Sequence, residues 1–260
     1  MQRKNKIIKN KKVQITIFVI IAIVLVAAFV LVFMLLKTKI ARVTMEEEPT
    51  RYLEKCIEDS LEKTETALLD GNGYINKTDN YILYFGKKVP YLCKASQFYN
   101  PCINQEPMFI EHIREEFEKQ AREDIEDCFS ELKKNLERKG YYVNEEKNWT
   151  LKVEFREDAV SVNVNKKLTL KRDDETRSYE KFQGQVMSPI YKLAKTAITI
   201  VNFESTLCEF NHMNWMRYFP DISIKKFVAS DATKIYTIED RESKKSISIA
   251  IKTCVFPAGI

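Results

Sequence analysis

Six cysteines are the residues of this chain best suited to covalent chemistry. They are Cys56, Cys93, Cys102, Cys128, Cys208 and Cys254. An even number of cysteines, all beyond an apolar N-terminal segment, favours disulfide bonds in an oxidising compartment. Buried free thiols are the alternative, because cysteine is a common core residue. A structural metal site is disfavoured, since the sequence holds no Cys-x-x-Cys pair and no Cys/His cluster.

The spacing of the cysteines indicates which of them pair. Cys93 and Cys102 flank a short loop, so we expect a bond between these two first. The other four would join two predicted helices to each other, and a late helix to the last strand, as Cys56–Cys128 and Cys208–Cys254. Other connectivities of these cysteines are also compatible with the sequence.

The two histidines limit the acid–base chemistry that the chain can carry. A serine or cysteine nucleophile needs a neighbouring base, which is most often histidine. His112 falls in a predicted helix among charged residues and is expected to be solvated. His212 precedes Trp215 in an aromatic-rich segment, which favours a packed or interfacial patch over a catalytic base.

The sequence contains no motif of a known reaction type. Gly-x-Ser-x-Gly, P-loop, His-Glu-x-x-His and dinucleotide-binding patterns are missing, and the six glycines leave little room for phosphate-binding loops. The paired carboxylates Asp173-Asp174 and Glu239-Asp240 fall in predicted turns. We therefore predict a protein without catalysis, cofactor or small-molecule substrate. An anchored hydrolase is the weaker alternative, because glycosidase-type carboxylate pairs leave no local motif.

Aromatic residues in two segments are candidates for a contact surface. One segment follows the predicted late helix and the other lies in a predicted hairpin; the residues are Trp215, Tyr218, Phe219, Tyr81, Tyr84 and Phe85. Exposed aromatic side chains are enriched where proteins meet their partners. Asn76 and Asn148 begin Asn-x-Thr sequons and are predicted glycosylation sites in outer loops.

Residues 17–36 are twenty consecutive apolar residues without charge, proline or glycine. Such a helix would span roughly 30 Å, the thickness of the hydrocarbon core of a bilayer. The predicted organisation is a basic cytoplasmic tail over 1–12, a transmembrane signal-anchor helix over 13–37, a juxtamembrane linker over 38–49 and an extracytoplasmic domain over 50–260. Within that domain, 50–140 is expected to be mostly helical and 141–260 rich in strands.

The distribution of charge predicts the orientation of this anchor and its partners. Six Lys and Arg residues precede the apolar segment and three follow it closely, which favours a cytoplasmic N-terminus. Beyond residue 42 acids slightly outnumber bases, although the whole chain carries a net charge of +5. A nucleic-acid partner is therefore not expected. The expected partners are the lipid bilayer and other envelope or membrane proteins, and the sequence indicates no oligomeric state.

Hydrophobic periodicity predicts the elements that would position these residues. Apolar residues at three-to-four spacing predict helices over 50–69, 108–139 and 188–208. Alternating patterns predict strands over 81–85, 89–92, 151–155, 160–164, 168–170, 179–186, 222–228, 234–238 and 246–252. Asn165, Lys166 and Lys167 are expected to form a turn between two of these strands. The predicted fold is α+β, an antiparallel sheet with helices packed on one side.

The start of the apolar segment resembles a known class of signal sequence. The apolar segment follows two lysines, Lys11 and Lys12, and then Val13, Gln14 and Thr16. This pattern resembles the class III signal sequences of archaeal type IV pilin-like proteins. The resemblance implies cleavage between Val13 and Gln14, with the helix retained on the mature protein. Val13 stands where that family usually has Gly, and Phe18 stands where it usually has Glu.

The chain as a whole resembles a group of uncharacterised single-anchor proteins of small (DPANN-type) archaea. The similarity runs through the anchor, a Tyr-x3-Cys helix at Tyr52 to Cys56, and a turn at Gly73-Tyr74-Ile75. It extends over most of the chain. It implies an archaeal protein held by one N-terminal helix and carries no activity with it.

These observations favour a membrane-anchored, extracytoplasmic structural or interaction protein of the cell envelope. It would cross the cell membrane once, with its C-terminal domain outside the cytoplasm. An accessory subunit of a larger membrane complex is one alternative, in which small residues such as Ala22, Ala27 and Ala28 would let another helix approach closely. A pilin-like filament subunit is the other, and its mature chain would begin at Gln14.

Overall fold

The computed structural model describes residues 24–26, 49–76, 78–97 and 99–254. The chain divides into two units, Met1–Glu47 and Glu48–Ile260, and the elements named below belong to the second. Apart from 24–26, which are helical, the predicted tail, signal-anchor helix and Val13–Gln14 cleavage site lie outside the described residues. Among the residues that are described, no helix is long and apolar enough to cross a membrane.

Four helices lie in the second unit, within residues 49–76, 78–97 and 99–254. They are α1 (Pro49–Asp70), α2 (Phe109–Arg138), α3 (Ile190–Leu207) and α4 (His212–Tyr218). The buried residues of α2 recur every three or four residues from Phe109 to Leu136, as the sequence predicts. This helix ends before Gly140, whose φ of 86° is left-handed and whose N–H bonds to the carbonyl of Glu137.

The first sheet contains both antiparallel and parallel pairs. Its strands are β1 (Tyr81–Tyr84), β2 (Lys87–Lys94), β3 (Ile103–Asn104), β8 (Ile222–Val228), β9 (Lys234–Asp240) and β10 (Ser246–Lys252). The order is β1-β2-β10-β9-β8, with β3 also paired to β2. The pair β2–β10 is parallel, so the prediction of a purely antiparallel sheet is wrong for this pair. A parallel pair needs a long crossover, and the whole chain between these two strands supplies it.

The second sheet is antiparallel and is built around one long hairpin. Its strands are β4 (Tyr142–Glu145), β5 (Thr150–Phe155), β6 (Ala159–Arg172) and β7 (Glu175–Met187). The turn predicted over Asn165, Lys166 and Lys167 is wrong, because β6 continues through these residues with a shift of register against β7. Lys166 is almost fully buried there and forms ion pairs with Glu126 at 2.8 Å and Glu145 at 3.3 Å. These two carboxylates compensate the buried charge, so the strand need not turn out to solvent.

The helices divide between the two sheets. α1 and α2 pack on each other and on the second sheet, and α1 lies against β7. Gly184 of β7 permits this approach, because a Cβ there would come within 2.6 Å of Cγ2 of Ile57. α3 packs on β9 and β10 of the first sheet. The domain is therefore α+β, as predicted, with one mixed sheet and one antiparallel sheet rather than a single layer.

The β1–β2 hairpin covers the face of the first sheet that α3 leaves free. Ile235 of β9 lies on that face, because its neighbour Tyr236 points to α3. Ile235 forms a small core with Val89 and Ala250, and Tyr84 packs against it. Both faces of β9 are therefore buried.

Three disulfide bonds connect different elements of the domain. Cys56–Cys128 joins α1 to α2, Cys93–Cys102 joins β2 to the residue before β3, and Cys208–Cys254 joins the end of α3 to the segment after β10. The Cα–Cα separations are 6.0, 5.3 and 5.5 Å in that order. These are the three pairings expected from the sequence. Three disulfides indicate an oxidising, extracytoplasmic location.

A lysine of α3 connects the two sheets through a cluster of aspartates. The Nζ atom of Lys192 lies 2.9 Å from Asp158 in the β5–β6 turn, 3.5 Å from Asp221 and 2.7 Å from Asp240 at the end of β9. Asp240 also accepts hydrogen bonds from the N–H and hydroxyl of Ser243. Burial disfavours the ionised form of Asp240, but the bonds from Lys192 and Ser243 outweigh it and lower the pKa of this carboxyl. Burial acts against the charge of Lys192 as well, and its aspartates raise its pKa overall.

We expect Asp240→Asn to lower the free energy of unfolding by about 2 kcal/mol at neutral pH, because it removes a charged partner from buried hydrogen bonds. The folded pKa of Asp240 is lowered, so its contribution is present above the unfolded pKa of about 3.9 and is lost as the pH falls through the folded value. Urea unfolding of the full chain should show a difference from wild type that is constant near neutral pH and shrinks on acidification. A difference that grows at low pH would contradict this account.

Candidate interaction surface

The end of α3 is fixed by a buried carboxylate that several segments share. Glu204 is fully buried, and its carboxylate accepts from Nζ of Lys234 at 2.8 Å, from the hydroxyl of Tyr236 and from the N–H of Phe210 at 3.2 Å. Its backbone carbonyl accepts from the hydroxyl of Thr253 at 2.9 Å. The ionised side chain is therefore satisfied by three donors, two of them from β9.

A second carboxylate extends this network towards solvent. Glu209 lies 3.0 Å from Nζ of Lys234 and 2.5 Å from Nζ of Lys226 on β8. Burial disfavours its charge, but the hydrogen bonds from the two lysines outweigh this and lower the pKa of the Glu209 carboxyl. For Tyr236, burial and the hydrogen bond to Glu204 both raise the pKa of the hydroxyl, so it stays a neutral donor.

The segment after α3 reverses the chain and begins α4. Cys208 has a φ of 56° and its N–H bonds to the carbonyl of Glu204, which ends the helix in the left-handed conformation. The Cys208–Cys254 disulfide and a 2.6 Å bond from Nζ of Lys234 to the Cys208 carbonyl hold this reversal. Asn211 then caps α4, accepting from the N–H of Asn214 at 2.9 Å. The position of α4 is thus set by covalent and buried polar contacts.

A row of aromatic rings leads from α3 across this reversal to the end of α4. The ring centroids are 5.6 Å apart for Phe203–Phe210, 5.8 Å for Phe210–Trp215 and 4.2 Å for Trp215–Phe219, the last pair being stacked. Phe210 is buried and also contacts the ring of Tyr236. Phe210 therefore joins the row to β9 of the first sheet, and Phe203 and Phe219 at the two ends of the row are exposed.

The residues of this region that face solvent define what we call the α4 surface. They are large and apolar or aromatic, and comprise Phe203, Leu207, Met213, Tyr218 and Phe219. Tyr218 is 74% exposed, and α4 has no buried residue at all. An apolar cluster of this kind on a disulfide-bonded scaffold is typical of a protein contact site.

The predicted aromatic contact residues lie in two places rather than one. Tyr218 and Phe219 belong to the α4 surface, and the half-buried Trp215 lies beneath it in the ring row that contacts Tyr236. Tyr84 contacts Phe227 of β8 at 5.1 Å instead. Phe227 pairs with Ile235, the neighbour of Tyr236, so the two aromatic groups are on opposite faces of the first sheet.

The hairpin group consists of Tyr81, Tyr84 and Phe85. Phe85 is 89% exposed at the hairpin turn, whereas Tyr81 and Tyr84 are half-buried. Nζ of Lys88 lies 3.9 Å from the ring centre of Tyr81. An open groove of about 570 Å³ borders this side of the hairpin, with Tyr74, Tyr81 and Lys87 in its wall.

Other residues singled out from the sequence lie elsewhere. Asn76 and Asn148 are exposed outside helices and strands, as a glycosylation site requires. His112 is half-buried and its ring centroid lies 4.4 Å from that of Tyr74, so the expectation of a solvated side chain is wrong. His212 is half-buried at the start of α4, where burial and the nearby charge of Lys226 lower its pKa.

Phe203, Leu207 and Met213 are members of the α4 surface that sequence reasoning missed. Leu207 continues the apolar spacing of α3, a pattern that predicts burial, but it is 57% exposed. α3 ends at Leu207, and the chain reverses at Cys208, so no further turn of the helix covers this side chain. The residue in the left-handed conformation at this helix end is Cys208 rather than the usual glycine, so the sequence does not signal where the helix stops.

We expect Lys234→Met to lower the free energy of unfolding by about 3–5 kcal/mol, because it leaves the buried Glu204 carboxylate without its cation. Adding Glu204→Gln should recover much of the loss, since the amide oxygen can still accept from Tyr236 and Phe210. Urea unfolding of the full chain measures both. Lys181→Met, the same change at an exposed site of β7, is the matched control and should stay within about 0.5 kcal/mol of wild type. Equal losses for the two lysine variants would contradict a structural role for the buried pair.

Within the described part of the chain, no group of three His, Cys, Asp or Glu side chains is arranged to hold a metal ion. Comparison with protein-family models finds no match to this sequence. No curated protein is significantly similar to it either. A functional assignment must therefore come from the residues of the chain itself, and the α4 surface is the strongest feature that they form.

Proposed function

We propose that this chain is a membrane-anchored, extracytoplasmic interaction protein of the cell envelope, without catalysis, that binds another envelope protein through the α4 surface. The observation that carries this proposal is the exposure of large apolar side chains on an element fixed by a disulfide and buried ion pairs. A rigid apolar surface loses little conformational entropy when a partner covers it.

The composition of the α4 surface supports a protein partner. Aromatic residues and methionine are enriched at the centres of protein interfaces. Tyr218, Phe219 and Met213 supply them here, and the ion pair of Glu209 with Lys226 lies near His212 at the start of α4. An apolar centre with a charged rim is the arrangement of a specific, non-covalent interface.

The disulfides and the N-terminal sequence together support the proposed location. Three disulfides favour an oxidising compartment for the domain. The apolar segment over 17–36 and its basic N-terminal flank fit a single anchor with a cytoplasmic N-terminus. The exposed sequons at Asn76 and Asn148 agree with this topology.

The topology is tested by labelling with a membrane-impermeant maleimide. We expect a cysteine introduced at exposed Lys181 to be labelled in intact cells, and a cysteine introduced at Asn5 to be labelled only after lysis. The six native cysteines should not react, because disulfides hold no thiol. Labelling of the Asn5 variant alone in intact cells would reverse the topology and contradict the proposal.

The role of the α4 surface is tested by a charge placed at its most exposed position. We expect Tyr218→Asp to lose a partner that copurifies stoichiometrically with the wild-type chain after gentle detergent extraction, because a carboxylate must be desolvated at an apolar interface. Tyr142→Asp is the matched control, since Tyr142 is 69% exposed on β4 of the other sheet. Both variants should unfold at the wild-type urea concentration.

Two outcomes would contradict the assignment of this surface. One is that Tyr218→Asp retains the partner as well as Tyr142→Asp does. The other is that the wild-type chain leaves native membranes without any stoichiometric protein.

A further inference from the structure

Strand β8 forms one edge of the first sheet, and its backbone amides alternate between β9 and the outside. The N–H groups of Ile222 and Ile224 point outwards, bonding to the carbonyl of Phe219 and to Sδ of Met216 near α4. The N–H of Ala229 points inwards, to the carbonyl of Thr233. Since the direction alternates along a strand, the N–H groups of Lys226 and Val228 also point outwards.

The backbone of the second half of this edge has no partner strand among the described residues, although Glu209 contacts the side chain of Lys226 at 2.5 Å. α4 occupies the edge beside Ile222 and Ile224, whereas neither outward amide farther along, at Lys226 or Val228, has a hydrogen-bond partner among residues 49–76, 78–97 and 99–254. Phe227 is 46% exposed and Val228 is 54% exposed. An open edge that carries apolar side chains is a template for another strand.

We propose that a second copy of this chain pairs with this edge, antiparallel, with Phe227 opposite Phe227 of the second copy. Lys226 then stands opposite Val228 of the second copy, and Val228 opposite its Lys226. Residues that face each other with outward amides exchange two hydrogen bonds in an antiparallel ladder. The two symmetric pairs therefore form four hydrogen bonds and use every free amide of the open edge.

The other symmetric registers are less favourable for reasons of charge and geometry. Moving the two-fold axis to Lys226 places two lysines directly opposite each other, which is destabilising, and requires the amide of Ile224 that Met216 already occupies. Moving it to Val228 pairs Lys226 with Ser230, which lies beyond the end of β8. A register centred on Phe227 avoids both problems.

The side chains around the open edge fit the same arrangement. Phe227 facing its own copy is a non-hydrogen-bonded pair, in which the side chains come closest. Tyr84 already packs on Phe227, and the exposed Phe85 follows it in the hairpin. Each copy thus adds apolar residues of the hairpin to the contact. Lys225 would stand opposite Ala229 of the second copy rather than a like charge.

Disulfide crosslinking of the full chain in detergent tests the register directly. Phe227→Cys places two thiols opposite each other at a non-hydrogen-bonded pair, so mild oxidation should give a band at twice the chain mass of 30.5 kDa on non-reducing gels. Lys225→Cys is the matched control, exposed on the same face of the same strand but opposite Ala229. We expect the crosslinked fraction to be several-fold lower for Lys225→Cys. Equal crosslinking of the two variants, or none for Phe227→Cys, would overturn the proposal.

A proline variant tests whether the backbone carries the pairing. Val228→Pro removes an outward amide and leaves the bonds to β9 in place, because proline is tolerated on an edge where its nitrogen faces outwards. Phe227→Cys/Val228→Pro should lose most of the crosslinking seen with Phe227→Cys alone. Undiminished crosslinking would show a contact that does not use the strand and would overturn the proposal. If the proline variant shows no cooperative unfolding, the comparison of Phe227→Cys with Lys225→Cys still decides.

Discussion

The buried carboxylate of Glu204 is the interaction on which this half of the domain depends. A charge without solvent must be satisfied by fixed donors, and here they come from β9 and from the reversal after α3. The same residue holds Thr253 through its backbone, and Thr253 in turn accepts from the N–H of Cys102. Glu204 therefore connects α3 to β9 directly, and to the segment before β3 through Thr253.

The character of the α4 surface follows from this arrangement. Polar contacts of Glu204 occupy the buried side of the end of α3. The apolar side chains of Phe203 and Leu207 remain exposed to solvent. Phe210 occupies the buried position, and Phe203 and Trp215 pack against it from either side. The hydrophobic residues that remain exposed thus stand on a base that tolerates little movement, which is what a specific contact requires. The residues that fix the end of α3 therefore also support the α4 surface.

Much of the fold follows from local patterns, and the remainder depends on contacts that no local pattern records. The stripe of α2 predicts its buried face, because helical periodicity reflects one-sided burial. The bulge at Lys166 could not be foreseen, since two lysines between alternating runs read as a turn unless the partners Glu126 and Glu145 are known. The parallel pairing of β2 with β10 could not be foreseen either, because the two strands lie far apart along the chain. At the α4 surface, the aromatic residues of α4 could be found from composition, whereas exposed Leu207 has the pattern of a core residue.

The place of β10 in the first sheet has a consequence for how the protein is made. β10 is the last strand of the described residues, yet it stands in the middle of the sheet, between β2 and β9. The β1–β2 hairpin is synthesised long before β10, the strand that pairs with β2. Until β10 has been synthesised, the edge of β2 that pairs with it has no partner. Formation of this sheet therefore depends on contacts between segments that are far apart in the sequence, which slows folding.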